Sequence, residues 1–166
     1  DTTSNAIQPM ADELVGRTYH SGSLLLKDGK ILVFGGDPLF ADKDNTQEGE
    51  YERRLEIFTP PQFFTSERPE LTGEDYAQIK RGDTLNFSAK DTSLIQSARL
   101  IPPSSTTHVT NIEQRSVAAV VTNEENKKVN IAISTDENLL PNGWYMLFVV
   151  SKDDMPSVAK MVQVVN

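Results

Sequence analysis

Ser116-Val117-Ala118-Ala119-Val120-Val121-Thr122, then Val129-Asn130-Ile131-Ala132-Ile133, then Gly143-Trp144-Tyr145-Met146-Leu147-Phe148-Val149-Val150: this succession decides the fold. The three runs are five to eight residues long and rich in Val, Ile and aromatics. Asn, Asp, Glu, Lys and Pro separate them, and Asn142-Gly143 punctuates the start of the last. Apolar runs of that length between turn residues read as strands. Working outward, four more runs of the same texture are Leu55–Phe58, Thr84–Ser88, Ser97–Leu100 and Ala159–Val165. Seven short strands over about 110 residues fit the number and spacing of an immunoglobulin-like β-sandwich. No segment sustains a 3.6-residue apolar period, so an all-β fold with little helix is expected.

Toward the N-terminus, Ser23-Leu24-Leu25-Leu26 and Ile31-Leu32-Val33-Phe34 flank Lys27-Asp28-Gly29-Lys30. Asp-Gly is a two-residue hairpin turn signal, because such a turn wants positive φ. Gly35-Gly36 follows, and glycine admits backbone that other residues resist. Strand, Asp-Gly turn, strand and Gly-Gly together form the pattern of a kelch-type propeller blade, of which one unit is present. A lone hairpin is marginal in water, so it is expected to pack on the sandwich or to lack its flanking blades. The expected division is a partial kelch-type blade with linker over residues 1–50 and the sandwich over 51–166. Asp37–Glu52 is charged and irregular and reads as a surface connection without EF-hand spacing.

Net charge is −8, and the basic doublets Arg53-Arg54 and Lys127-Lys128 sit beside acids. The charge therefore argues against nucleic acid and anionic membrane surfaces as partners. No run approaches the roughly 20 apolar residues of a membrane span. The absence of cysteine removes disulfides and thiolate metal sites. The chain starts at Asp and is expected to be a piece of a longer one.

Chemistry rests on two histidines. His20 lies in Arg17-Thr18-Tyr19-His20-Ser21, and His108 in Thr107-His108-Val109-Thr110-Asn111-Ile112-Glu113-Gln114-Arg115. Neutral imidazole is the commonest protein ligand for copper and zinc. Two imidazoles and the adjacent Tyr19 make most of a copper site but not a whole one. Adjacent residues in a strand aim their side chains apart, so whether Tyr19 and His20 meet depends on local backbone geometry. Asn111, Gln114 and Arg115 are candidate supports for the loop, Arg115 through a carboxylate. Trp144, Tyr145 and Phe148 read as core or sheet-face residues. A fully buried Trp144 would make Trp144→Ala cost about 3–5 kcal/mol.

In this order, these pieces resemble the C-terminal part of the galactose oxidase and glyoxal oxidase family of copper-radical oxidases. Arg17-Thr18-Tyr19-His20-Ser21 with Leu24–Lys30 resembles the family's R-x-Y-H-S and LLL-x-DG(R/K). Leu55–Pro61 resembles its E-(I/V)-(Y/F)-x-PP segment, followed by Arg68-Pro69. Thr107–Arg115 resembles its T-H-x-x-N-x-(D/E)-Q-R loop, with Val109 where the family often has a small hydroxyl residue. Gly143–Val149 and Pro156–Ala159 resemble its closing strands.

The resemblance implies an immunoglobulin-like domain of early-set type behind a seven-bladed kelch propeller, which would be this chain's upstream partner. It implies Tyr19, His20 and His108 as copper ligands, with Tyr19 also the base that takes the alcohol proton. The family's radical-forming Tyr-Cys crosslink lies in the propeller and cannot form in a chain without cysteine. The implied protein oxidises a primary alcohol or aldehyde with dioxygen, giving hydrogen peroxide, outside the cell or at its surface, and this chain alone is expected to be inactive. The alternative is a non-catalytic module of a secreted or surface protein that binds carbohydrate or another protein. A hydrolase is disfavoured, since no nucleophile elbow or metal-hydrolase spacing appears.

Overall fold

A computed structural model describes residues 9–38, 44, 46–108, 110–123 and 127–166. The described strands are β1 (Gly22–Leu25), β2 (Ile31–Phe34), β3 (Glu56–Phe58), β4 (Leu71–Thr72), β5 (Tyr76–Lys80), β6 (Thr84–Ala89), β7 (Ser97–Ile101), β8 (Thr106–Thr107), β9 (Thr110–Asn111), β10 (Val117–Asn123), β11 (Lys128–Ala132), β12 (Gly143–Val150) and β13 (Lys160–Val165). All seven runs of the sandwich pattern, and the hairpin, form strands with ends within one residue of expectation. No helix among the described residues is long and apolar enough to cross a membrane.

Eight strands form one ladder in the order β4-β6-β11-β10-β7-β12-β13-β5. It folds into two layers at β10, whose first half pairs with β7 and whose second half pairs with β11. Between the layers lie Leu85, Val129 and Ile131 from one side, and Ala98, Leu100, Leu147, Val149 and Val162 from the other. Strict alternation aims these inward, as the period of two requires. Tyr145 is buried in the same core, and its hydroxyl donates to the Pro141 carbonyl at 2.8 Å. That back-bond to a carbonyl four residues upstream has the form of the tyrosine corner of immunoglobulin-like sandwiches. Burial pushes the Tyr145 phenol pKa up.

β5 went unread in the sequence because only Ala77 and Ile79 face inward and its ladder is supplied from far away, by parallel pairing with β13. β3 has a different address from the one expected. It pairs with β2, placing Phe58 opposite Ile31 and Ile57 opposite Leu32, and so completes a three-stranded sheet with the hairpin. A three-residue strand carries too little pattern to name its partner, and pairing across 20-odd residues is decided by packing.

The hairpin turn also differs from a two-residue Asp-Gly turn. The Leu26 amide donates to the Lys30 carbonyl and the Gly29 amide to the Leu26 carbonyl, both at 2.8 Å. Gly29 takes the one positive φ of the loop, 83°. This is a longer loop in which glycine alone fills the left-handed position.

The hairpin packs on the sandwich rather than standing free. Met146, Phe148 and Ala159, on the outer face of β12 and its neighbour, form a second apolar cluster joined by Leu25 of β1. The Ala159 amide donates to the Lys27 carbonyl at 2.8 Å, and Arg68 donates to the Asp28 carbonyl at 2.7 Å. β12 is therefore covered on both faces over Met146–Val149, which is why it reads as a continuous apolar run.

Of the two places open to Trp144, core or sheet face, the structure gives the sheet face, so the condition of full burial for the loss of about 3–5 kcal/mol is not met. It is 45% exposed at the outer end of β12 and lies 5.3 Å from the ring of Tyr76, centroid to centroid. Period two puts Trp144 on the outer face with Met146 and Phe148, but the hairpin covers only those two.

Candidate metal centre

Tyr19 and His20 sit just before β1, and His108 sits at the tip of the β8–β9 hairpin. The pairing Thr107↔Thr110 leaves two residues in that loop. His108 takes a left-handed φ of 51° there, and Val109 lies outside the described residues. His20 is left-handed too, at φ 58°. A left-handed residue breaks strand alternation, so two successive side chains turn to the same side. The Tyr19 and His20 rings consequently lie 3.8 Å apart.

Three rings from two sequence regions meet here. His20 and His108 are 5.1 Å apart, and Tyr19 and His108 are 6.2 Å apart, between ring centroids. The rings are accessible: Tyr19 is 45% exposed and the His20 side chain 46%. The β8–β9 hairpin reaches them by lying along β1. Thr106 donates to the Ser23 carbonyl at 3.0 Å, and the Leu25 amide donates to Ser104 Oγ at 3.3 Å.

Asn111 braces the loop. Its Oδ1 accepts from the Ser105 amide at 3.0 Å and the Glu113 amide at 3.1 Å, and its carbonyl accepts from Gln114 at 2.7 Å. Arg115 differs from the expected carboxylate pairing. It donates to the Asn138 and Leu139 carbonyls, at 2.9 and 2.8 Å, tying the loop's end to the turn before β12.

On the other side, Arg17 anchors the Tyr19-His20 segment. Its side chain is 3% exposed, and its guanidinium donates to the Gly35 carbonyl at 2.8 Å, the Arg54 carbonyl at 3.0 Å and Glu56 at 2.7 Å. The Leu14 amide and Arg17 hold the Glu56 carboxyl below its usual range. Such a group favours the folded state above the ordinary carboxylate range, and that contribution is lost as pH falls through its lowered value. Nearby, the Arg54 side chain and amide hold Glu52 at about 2.

Among the described residues no three His, Asp or Glu side chains gather around one point. The donor set is instead a phenol and two imidazoles, which suits copper better than hard cations that want oxygen cages. Each imidazole has Nδ1 turned toward an oxygen: His108 Nδ1 lies 2.7 Å from Thr107 Oγ1, and His20 Nδ1 lies 3.6 Å from Asp37 Oδ2. The Nε2 atoms remain as the available donors.

Known proteins carry the same architecture. A family model described as the galactose oxidase-like early set domain matches residues 68–164. A galactose oxidase of Gibberella zeae is 31% identical over 153 residues, covering 89% of this chain and 21% of its own length. An aldehyde oxidase of Arabidopsis thaliana, GLOX1, is 28% identical over 173 residues, covering 94% of this chain and 27% of its own. A fungal alcohol oxidase of the AA5 family, solved in complex with copper, superposes with a TM-score of 0.82 at 23% identity, over 100% of this chain and 35% of that one. The chain thus spans about a fifth to a third of the length of these relatives. With its two-layer sandwich, tyrosine corner and matched sequence, the chain belongs to the galactose oxidase-like early set domain family, related to the copper-radical oxidases.

Proposed function

We propose that this chain is the C-terminal part of a copper-radical oxidase, in which Tyr19, His20 and His108 hold the copper. The observation that carries the reading is the meeting of the three rings, two before the hairpin and one on a loop of the sandwich. The two units are a partial kelch-type blade, with β3 counted in it, and the sandwich. The far face of the small sheet exposes Leu14, Leu55, Ile57 and Phe64, an apolar surface of the kind a neighbouring blade covers.

Bound copper would supply a Lewis acid and one of the two electron-accepting equivalents that alcohol or aldehyde oxidation needs. This chain has no cysteine, so a Tyr-Cys partner for the second equivalent has to lie outside its 166 residues. The chain alone is then inactive, while the whole protein oxidises a primary alcohol or aldehyde and reduces dioxygen to hydrogen peroxide. His20 and His108 would hold the copper through Nε2 and Tyr19 through its phenol oxygen, and Tyr19 as phenolate would be the base for the substrate hydroxyl proton. By the same resemblance the whole protein works outside the cell or at its surface.

Titration of this chain with Cu²⁺, followed by electron paramagnetic resonance, tests the reading. One site is expected, with affinity at least about 100-fold weaker in His20→Ala and in His108→Ala, since ligand loss exceeds loss of an outer-shell partner. Cooperative melts of each variant establish that it is folded. Binding that ignores both substitutions would overturn the ligand assignment.

One observation favours a second reading, a non-catalytic carbohydrate-binding module. Trp144 and Tyr76 form an exposed aromatic pair, and Tyr76 and Gln78 both donate to Gln163, at 3.2 and 3.0 Å. Aromatic faces beside amides suit the apolar face and hydroxyls of a sugar ring. On this reading Trp144→Ala abolishes retention on insoluble polysaccharide while moving the unfolding free energy by less than about 1.5 kcal/mol, the indole being half exposed. Unchanged retention, or none in the parent chain, removes this reading.

A further inference from the structure

We infer that Asp37 is a positioning residue for the His20 imidazole, and that the Gly35-Gly36 pair is there to bring it into place; this rests on the copper-ligand reading of His20. Asp37 is 7% exposed, and its Oδ2 lies 3.6 Å from His20 Nδ1, within ion-pair range. Its backbone is fastened to the same segment: Asp37 bridges Tyr19, and its amide donates to the Tyr19 carbonyl. Both residues of the Tyr19-His20 pair are thus backed by one residue, from the far end of the hairpin.

The route there needs two glycines. Gly35 has φ 74° and Gly36 has φ 134°, conformations that L side chains rarely take. A Cβ on Gly35 would overlap the His20 carbonyl oxygen. One on Gly36 would press on Glu52 Cβ at 3.3 Å and Arg17 Cα at 3.4 Å. The sharp return of the chain after β2 sets Asp37 behind His20. No phosphate-binding role for the glycine pair is required.

Among the described residues Asp37 does not gather with His20 and His108 into a three-group metal cluster. It stands on the Nδ1 side. An imidazole that donates Nδ1–H to a carboxylate is held in the tautomer with its lone pair on Nε2, and its ring orientation is set. His108 has the parallel arrangement with Thr107 Oγ1 at 2.7 Å. Each imidazole thus has an oxygen on its Nδ1 side, which leaves Nε2 as the atom for the metal.

The experiment compares wild type, Asp37→Asn and Asp37→Ala in two measurements. With Cu²⁺ bound, electron spin echo modulation reads the remote imidazole nitrogens directly. Asp37→Ala is expected to shift the remote-nitrogen coupling of one imidazole and weaken copper binding about 10–100-fold. Asp37→Asn, which keeps an acceptor oxygen, is expected to fall between Asp37→Ala and wild type. Without metal, nitrogen NMR of the neutral imidazoles is expected to show His20 enriched in the Nδ1–H tautomer in wild type, and that enrichment lost in Asp37→Ala.

Unchanged remote-nitrogen coupling and tautomer in both variants would overturn the role of Asp37. Should copper fail to depend on His20 and His108 while the tautomer still depends on Asp37, the positioning role stands and the copper reading falls. Should Asp37→Ala fail to fold, the Asp37→Asn spectra decide, since that side chain keeps the original shape. An Asp37→Asn spectrum identical to wild type in coupling and tautomer, with equal affinity, would then overturn the proposal.

Discussion

Leu147→Ala is expected to lower the unfolding free energy by about 3–5 kcal/mol, as a leucine truncated in a core that collapses only partly. Leu147 is fully buried, at 0% exposure, in the middle of β12. It lies opposite Leu100 on β7, itself at 0%, and opposite Lys160 on β13. Strand neighbours hold the backbone on both sides and the other layer packs above, so little can move in to fill the space. Against a typical total of about 5–15 kcal/mol, such a loss leaves the sandwich only marginally folded. Denaturant melts followed by fluorescence of Trp144, the one tryptophan, measure it. A change below about 1.5 kcal/mol would mean that this layer is not close-packed.

Gly35→Ala is expected to cost about 2–5 kcal/mol, combining a left-handed backbone that disfavours any Cβ with overlap against neighbouring main chain. The overlap is with the His20 carbonyl oxygen, which cannot swing away as a flexible side chain would. Relief has to come from moving either the Gly35–Asp37 return or the Tyr19-His20 turn. The substitution is therefore expected to damage copper binding beyond its effect on the melt, in a residue that touches no ligand side chain. Gly16→Ala is the control: a Cβ there meets nothing within 4 Å, and a change within about 0.5 kcal/mol is expected. Equal melting curves for Gly35→Ala and wild type would show that the close approach does not hold in solution.

Most of the strand content was legible because it is written locally. Val117–Val121, Val129–Ile131 and Gly143–Val150 carry β-branched and aromatic residues between turn residues, and each became a strand. The candidate ligands were legible for a different reason: Tyr19, His20 and His108 stand inside ordered motifs shared with a known family. What stayed hidden was nonlocal. Ile57 and Phe58 look like sandwich residues, yet they pair with the hairpin. Tyr76–Lys80 lacks a strong apolar pattern, yet β13 recruits it. Period two assigns Trp144 to one face of β12 but does not say where cover on that face ends. Asp37 looked like the first residue of a charged surface connection, and only the fold shows it buried beside His20.

By itself the sequence determined an all-β chain, six of the sandwich strands, the hairpin and the three candidate donor residues, since propensity, alternation and motif are properties of neighbouring residues. Only the tertiary structure decided that their three rings meet. The left-handed turns at His20 and His108 and the docking of the β8–β9 hairpin along β1 bring residues almost 90 positions apart within 6.2 Å. The placement of Gly35, Gly36 and Asp37 next to the Tyr19-His20 segment was decided at the same level. Convergence of this kind depends on how separate elements pack, and no local stretch of sequence contains that information.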